Sequence, residues 1–251
     1  EPCGMHVNFT VTSTNVKHGY NLLDCSSVVI ETIKETDTPM IEAAYQLHKS
    51  QTVAGIRSLE HFYKIALSWN SSISSIHIDE RFSGYIVRDG SRISELVLHQ
   101  IDQLPVVLKA LVDKCHVHEV YMSVPLFEQE KLAYLTTICE GYKLQCNHSF
   151  NVFDYKSVLQ AFMQLKASYA DMPDGDMTIQ IGDETISISV LNRKVLVENS
   201  AQKADVALSH LEAMTYFFAP AGGFLKDVVN LPVPAKSWFP LPLYIDSLDC
   251  C

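Results

Sequence analysis

The stretch from Arg92 to Lys114, RISELVLHQIDQLPVVLKALVDK, constrains the fold of this chain more than any other. Arg92 to Leu98 has the β-branched, alternating character of a strand. Leu104, Val107, Leu108 and Leu111 then fall at i, i+3, i+4 and i+7, the spacing of one helical face. A strand feeding directly into a helix is a common phosphate seat, because the first helical N–H groups are unpaired and the helix dipole favours an anion. Here the seat is spoiled. Between His99 and Pro105 there is no glycine to admit a close backbone approach, Asp102 brings a negative charge to the helix start, and Pro105 removes one N–H. Asp102 reads as the N-cap.

At 251 residues, 47% of them hydrophobic, the chain has material for two cores, so two domains are expected. With 19 basic against 29 acidic residues, a formal charge of −10 excludes the basic surplus that nucleic-acid binding needs. Such a charge suits a cationic ligand, or serves only to keep a soluble protein dispersed. No run approaches the length of a membrane span, and the opening EPCGMHVNFT lacks the basic and apolar regions of a secretory signal, so a cytoplasmic protein is expected. The seven cysteines are odd in number, scattered and without a CxxC pair, which gives neither a disulfide framework nor a zinc site. Cys115, His116, His118 and Glu119 offer ligand types but have no partner cluster at ligand spacing, and no metal is expected.

The alternation of Val7 to Thr14 predicts an opening strand, and Tyr20 to Val29 reads as extended chain or linker. A lone strand followed by a linker exposes its edges, so this one is expected to pair, with an element of a preceding domain as the partner considered. Thr38-Pro39 opens a helix to about Ser50, and Ser58 caps a second whose Leu59, Phe62, Tyr63, Ala66 and Leu67 make an apolar stripe. Strands follow at Ser75–Asp79, Gly84–Val87 and Arg92–Leu98, with a hairpin turn at Arg88 to Ser91. After the central helix come a strand at Glu119–Val124, a helix from Phe127 to Glu140 stopped by Gly141, and a strand at Tyr142–Phe150. From Asn151 the pattern changes. Asp154 caps a helix, strands follow at Met177–Ile181, Thr185–Leu191, Val195–Val197 and Asp205–Leu208, and a helix runs from His210 to Phe218.

The first of these orders, over about residues 36 to 150, resembles a GNAT acetyltransferase domain. Its landmarks are Phe82-Ser83-Gly84-Tyr85, the splayed central strand Ile93 to Leu98, and Glu140-Gly141-Tyr142-Lys143 after the last helix. The glycine-bearing pattern that holds the coenzyme A pyrophosphate in GNAT enzymes, roughly [RQ]xxGx[GA], is replaced by HQIDQLP. The whole chain is similar to the Eis-type (enhanced intracellular survival) acetyltransferases, which join a catalytic GNAT domain, a degenerate GNAT domain and a C-terminal domain with a sterol-carrier-protein fold. Phe150-Asn151-Val152-Phe153-Asp154, Met177-Thr178-Ile179-Gln180-Ile181, Ala204 to Ser209 and Trp238-Phe239-Pro240 match the third of these in order.

The resemblance implies an α+β chain: an extended strand and linker over 1–35, a GNAT-like mixed sheet without a coenzyme A loop over 36–150, and a sterol-carrier-like domain with a tail over 151–251. It lacks the N-terminal catalytic domain. It further implies that the terminal carboxylate of Cys251 is the catalytic base, that this chain holds no cofactor-binding residue, and that acetyl-CoA is a co-substrate only where a catalytic GNAT domain is supplied. The implied partners are a small-molecule amine of aminoglycoside or lysine type and an N-terminal GNAT domain or a homo-oligomer. The other reading is a non-catalytic lipid- or protein-binding module, with Phe162, Phe217, Phe218, Phe224 and Leu225 either lining a tunnel or forming plain core. Asp246 and Asp249 are the rival bases.

Overall fold

The structure is a computed structural model and describes residues 2–12, 17–115, 117–219, 234–244 and 247–249. By compactness it divides into two units, one of residues 6–145 with 245–251, the other of residues 1–5 with 146–244.

The first unit is built on a seven-stranded sheet in the order β2-β3-β4-β5-β6-β1-β7. Its strands are β1 (Pro2–Thr12), β2 (Val28–Thr32), β3 (Ser72–Ile78), β4 (Arg81–Asp89), β5 (Arg92–Leu98), β6 (Glu119–Pro125) and β7 (Gly141–Ser149). Strands β2 to β5 form an antiparallel meander, and β5 runs parallel to β6. Because side chains alternate across a strand, Tyr85 and Val87 of β4 and Val97 of β5 enter one face while Ile86 and Leu96 enter the other. The first face is covered by α1 (Thr38–Lys49) and α2 (Leu59–Ala66), the second by α3 (Leu104–Lys114) and α4 (Gln129–Ile138).

Local chemistry accounts for the element ends. Asp37 accepts from the Met40 N–H with Pro39 in the tolerated first turn of α1, and Ser58 accepts from the His61 N–H to start α2. The opening strand does have a partner, and it lies in this chain. From His6 opposite Pro125 to Thr12 opposite Glu119, β1 pairs antiparallel with β6. The segment read as linker holds a 3-10 turn at Lys17–Leu22 and then β2, which pairs with β3. Two expected details are corrected. Gly141 does not stop α4, which ends when Cys139 turns extended (φ −78°, ψ 151°). The stripe on α2 is narrower than its sequence implies, since Phe62 and Ala66 are buried while Leu59 and Leu67 are exposed.

The second unit has a four-stranded sheet, β10-β9-β8-β11, formed by β8 (Gly175–Ile181), β9 (Glu184–Leu191), β10 (Lys194–Asn199) and β11 (Val206–Leu208). Its helices are α5 (Tyr155–Tyr169), capped by Asp154, and α6 (His210–Phe218), capped by Ser209 and Glu212 in a reciprocal box. Asn192 and Arg193 both take positive φ, which matches the twist of the β9–β10 hairpin. Phe217 and Phe218 are buried in the packed core, Phe162 lies against it, and Phe224 and Leu225 fall outside the described residues. Lys166 of α5 donates to the carbonyls of Ser237, Trp238 and Pro240, and burial lowers its pKa to about 8.

At Gly84 β4 lies close against β5: a Cβ there would lie 2.2 Å from the Val97 carbonyl oxygen. Gly84→Ala is expected to destabilise the protein by about 2 kcal/mol or more in denaturant unfolding. Gly141→Ala, which meets nothing within 4 Å, is expected to leave the midpoint unchanged.

Candidate functional site

Two places in the first unit concentrate polar groups. One is the opening where β5 and β6 part. These parallel strands pair only at Arg92–Tyr121 and Ile93–Met122, so from Ser94 onward β5 diverges from β6. Divergence strips backbone groups of their ladder partners, and each must be satisfied in another way. Lys131 of α4 does this for one of them: its ammonium donates to the Leu96 carbonyl (3.2 Å) and pairs with Glu128. The opening thus receives a side chain from the protein itself.

The turn after β5 is equally occupied. Ile101–Gln103 is a 3-10 turn that passes without interruption into α3, and the N-cap position falls on Gln103, which makes no side-chain cap hydrogen bond. Asp102 is therefore not the N-cap, because it sits inside the turn and not at the extended position from which a cap side chain reaches the next N–H groups. Pro105 lies in the first turn of α3. Beside this turn is a pocket of about 430 Å³ lined by Asp79, Arg81, Phe82, His99 and Gln103 among others. A pyrophosphate needs converging backbone N–H groups. This turn offers a carboxylate at Asp102, a proline and no glycine, so the residues do not fit that group.

The second place is a buried charge cluster on the α1/α2 face. Glu95 lies opposite Val87 in the β4–β5 ladder, and its alternation with Val97 turns it inward. Its Oε1 accepts from the Tyr85 hydroxyl at 2.8 Å and lies 3.0 Å from His48 Nδ1, while Oε2 accepts from Arg57 Nη1 at 2.8 Å. His48 Nε2 donates to the Gly55 carbonyl at 2.9 Å. Arg57, only 6% exposed, turns the other edge of its guanidinium to Asp249, with Nε to Oδ1 at 2.8 Å and Nη2 to Oδ2 at 3.0 Å. Burial by itself would raise the Glu95 carboxyl, but the His48 hydrogen bond and the Arg57 charge outweigh it and hold the pKa at about 2. The two carboxylates push the Arg57 guanidinium well above its ordinary value despite its burial.

Cys251, expected as the catalytic base, and Asp246 lie outside the described residues. Asp249, a rival base, is brought into the cluster and forked onto Arg57, which holds both of its carboxylate oxygens. Among the described residues, no three His, Cys, Asp or Glu side chains gather as a metal site, and His116 is not among them. Sequence reasoning missed His48, Arg57 and Glu95. A signal was present: Glu95 occupies an inward register position in an otherwise apolar strand, where a charge requires a partner.

No protein-family model and no curated protein sequence matches the chain. Solved structures do. A GCN5-related N-acetyltransferase from Kribbella flavida superposes with a TM-score of 0.63 at 13% identity, over 96% of this chain and 64% of its own. A probable N-acyltransferase of unknown function from Enterococcus faecalis gives 0.64 at 11%, over 98% and 68%. Eis1 from Mycobacterium abscessus gives 0.53 at 10%, over 95% and 66%. The likeness is one of fold: the chain is mixed α+β and folds as GCN5-related N-acetyltransferase structures do, and it spans about two thirds of their length. Among the described residues no helix is long and apolar enough to cross a membrane.

Glu95→Gln takes from the buried Arg57 guanidinium one of its two carboxylate partners and is expected to cost about 3–5 kcal/mol. The pH dependence follows from the lowered pKa. A carboxyl depressed in the folded state contributes fully above its unfolded value of 4.5 and loses that contribution as pH falls toward about 2. Urea unfolding of both proteins should therefore give a constant gap from pH 7 to about 5, closing steadily below.

Proposed function

We propose that this chain supplies the substrate-side part of an Eis-like GNAT N-acetyltransferase, working with a catalytic GNAT domain that binds acetyl-CoA and transfers the acetyl group to an amine. The observation that carries the reading is the combination of a GCN5-related fold with a strand–helix turn unsuited to coenzyme A, its opening met by Lys131 and its turn by Asp102 and Pro105. In this reading the first unit is a degenerate GNAT domain and the second a sterol-carrier-like domain. The chain is cytoplasmic, and its surplus of acidic residues suits a cationic aminoglycoside or lysine-type acceptor.

Where residue 251 is the natural end of the protein, the α-carboxylate of Cys251 is the proposed proton acceptor from the ammonium form of that amine. An α-carboxylate is ionised at neutral pH and serves as a base where water is excluded. The engagement of both Asp249 oxygens by Arg57 favours this assignment over that rival.

The test is acetyl transfer from acetyl-CoA to a panel of polyamines and lysine derivatives, by the chain alone and with a catalytic GNAT domain supplied in trans or by fusion. Turnover is expected only in the second case. One glycine added after Cys251 displaces the carboxylate by about 3.5 Å and is expected to lower that turnover about 100-fold. Unchanged turnover would remove Cys251 from the mechanism. No turnover in any combination would favour the lipid- or protein-binding module.

A further inference from the structure

The segment 247–249 meets the first unit as a docked ligand does. Leu248 is 1% exposed and belongs to the apolar cluster of Ile33, Phe62, Tyr85 and Val97, while the next residue, Asp249, takes the open edge of Arg57. The receiving groups belong to other elements: His48 to α1, Tyr85 to β4, Glu95 to β5 and Arg57 to the residue before the Ser58 cap. Glu95 fixes one edge of the guanidinium and leaves Nε and Nη2 aimed outward as a parallel pair, the geometry that recognises a carboxylate. Gly55 keeps the approach clear, since a Cβ there would stand 2.6 Å from Asp249 Oδ2. The Asp249 side chain remains 25% exposed, so the seat opens to solvent on that side.

We propose that this seat is a binding site for an acidic peptide segment with an aliphatic residue immediately before an aspartate, and that Leu248 and Asp249 occupy it as an internal ligand. Two features decide for a peptide over a free carboxylate: the apolar socket and the guanidinium edge are separate, and they are filled by adjacent residues of one strand of chain. The partner is a segment of another protein presenting the same pair. A tethered occupant competes at an effective concentration on the order of millimolar, so an outside segment gains access when the resident one is displaced or when its own affinity exceeds that level.

The test uses the full chain carrying Leu248→Ala and Asp249→Ala, with the blocked tripeptide acetyl-Ser-Leu-Asp-amide and its Asn analogue as probes. The variant is expected to melt below the wild type, the Asp peptide to raise its midpoint saturably, and the Asn peptide to act at least about tenfold more weakly, having lost the charge-assisted pair. Wild type should need at least about tenfold more Asp peptide for the same occupancy. No binding to the variant, or equal binding of both peptides, overturns the proposal. Should the double variant fail to fold, Asp249→Asn keeps Leu248 seated. The Asp peptide must then bind that variant more tightly than wild type, and equal affinity for the two overturns the proposal.

Discussion

A carboxylate inside an apolar sheet face is unfavourable until its charge is met, and Glu95 is in that position. Its two oxygens meet three polar partners from three elements, so α1 through His48, β4 through Tyr85 and the start of α2 through Arg57 are all referred to one point on β5. Hydrogen bonds are directional where apolar contacts are not, and a buried group with several required partners fixes how helices sit on a sheet more narrowly than packing does. Arg57 extends the network by one step, to Asp249, and with it the segment 247–249 acquires a defined place.

On the opposite face of the same sheet the parting of β5 from β6 would leave a gap lined by unpaired backbone. Lys131 reaches one of those carbonyls, and the turn that follows carries Asp102 and Pro105 where an anion would need free N–H groups. Both polar features of this unit are thus met by side chains of the protein itself, one cation on β5 and one anion on Arg57. This is the physical basis for the proposal that the unit has a GCN5-related fold without a seat for coenzyme A.

Much of the fold was legible in the sequence because local signals and tertiary environment agree. Arg92–Leu98 and His210–Phe218 form where alternation and helical spacing place them, and Ser58 and Asp154 cap as their side chains predict. What was missed depends on contacts distant in sequence. Val28–Thr32 is a strand because β3 lies beside it, and β1 finds its partner in β6 more than a hundred residues later. The cluster was hidden for the same reason: Arg57 and Asp249 are 192 positions apart, and neither has a local pattern that announces the other. Asp102 failed as a cap because a preceding 3-10 turn shifted the helix start by one residue, a detail that residue preference alone does not resolve.

The proposal that this unit has no seat for coenzyme A is open to direct measurement. Isothermal titration of the chain alone with acetyl-CoA tests it directly. No heat beyond dilution is expected up to millimolar ligand, because the turn from His99 to Pro105 presents a carboxylate and a proline to the pyrophosphate. Micromolar binding that inorganic pyrophosphate displaces would contradict it.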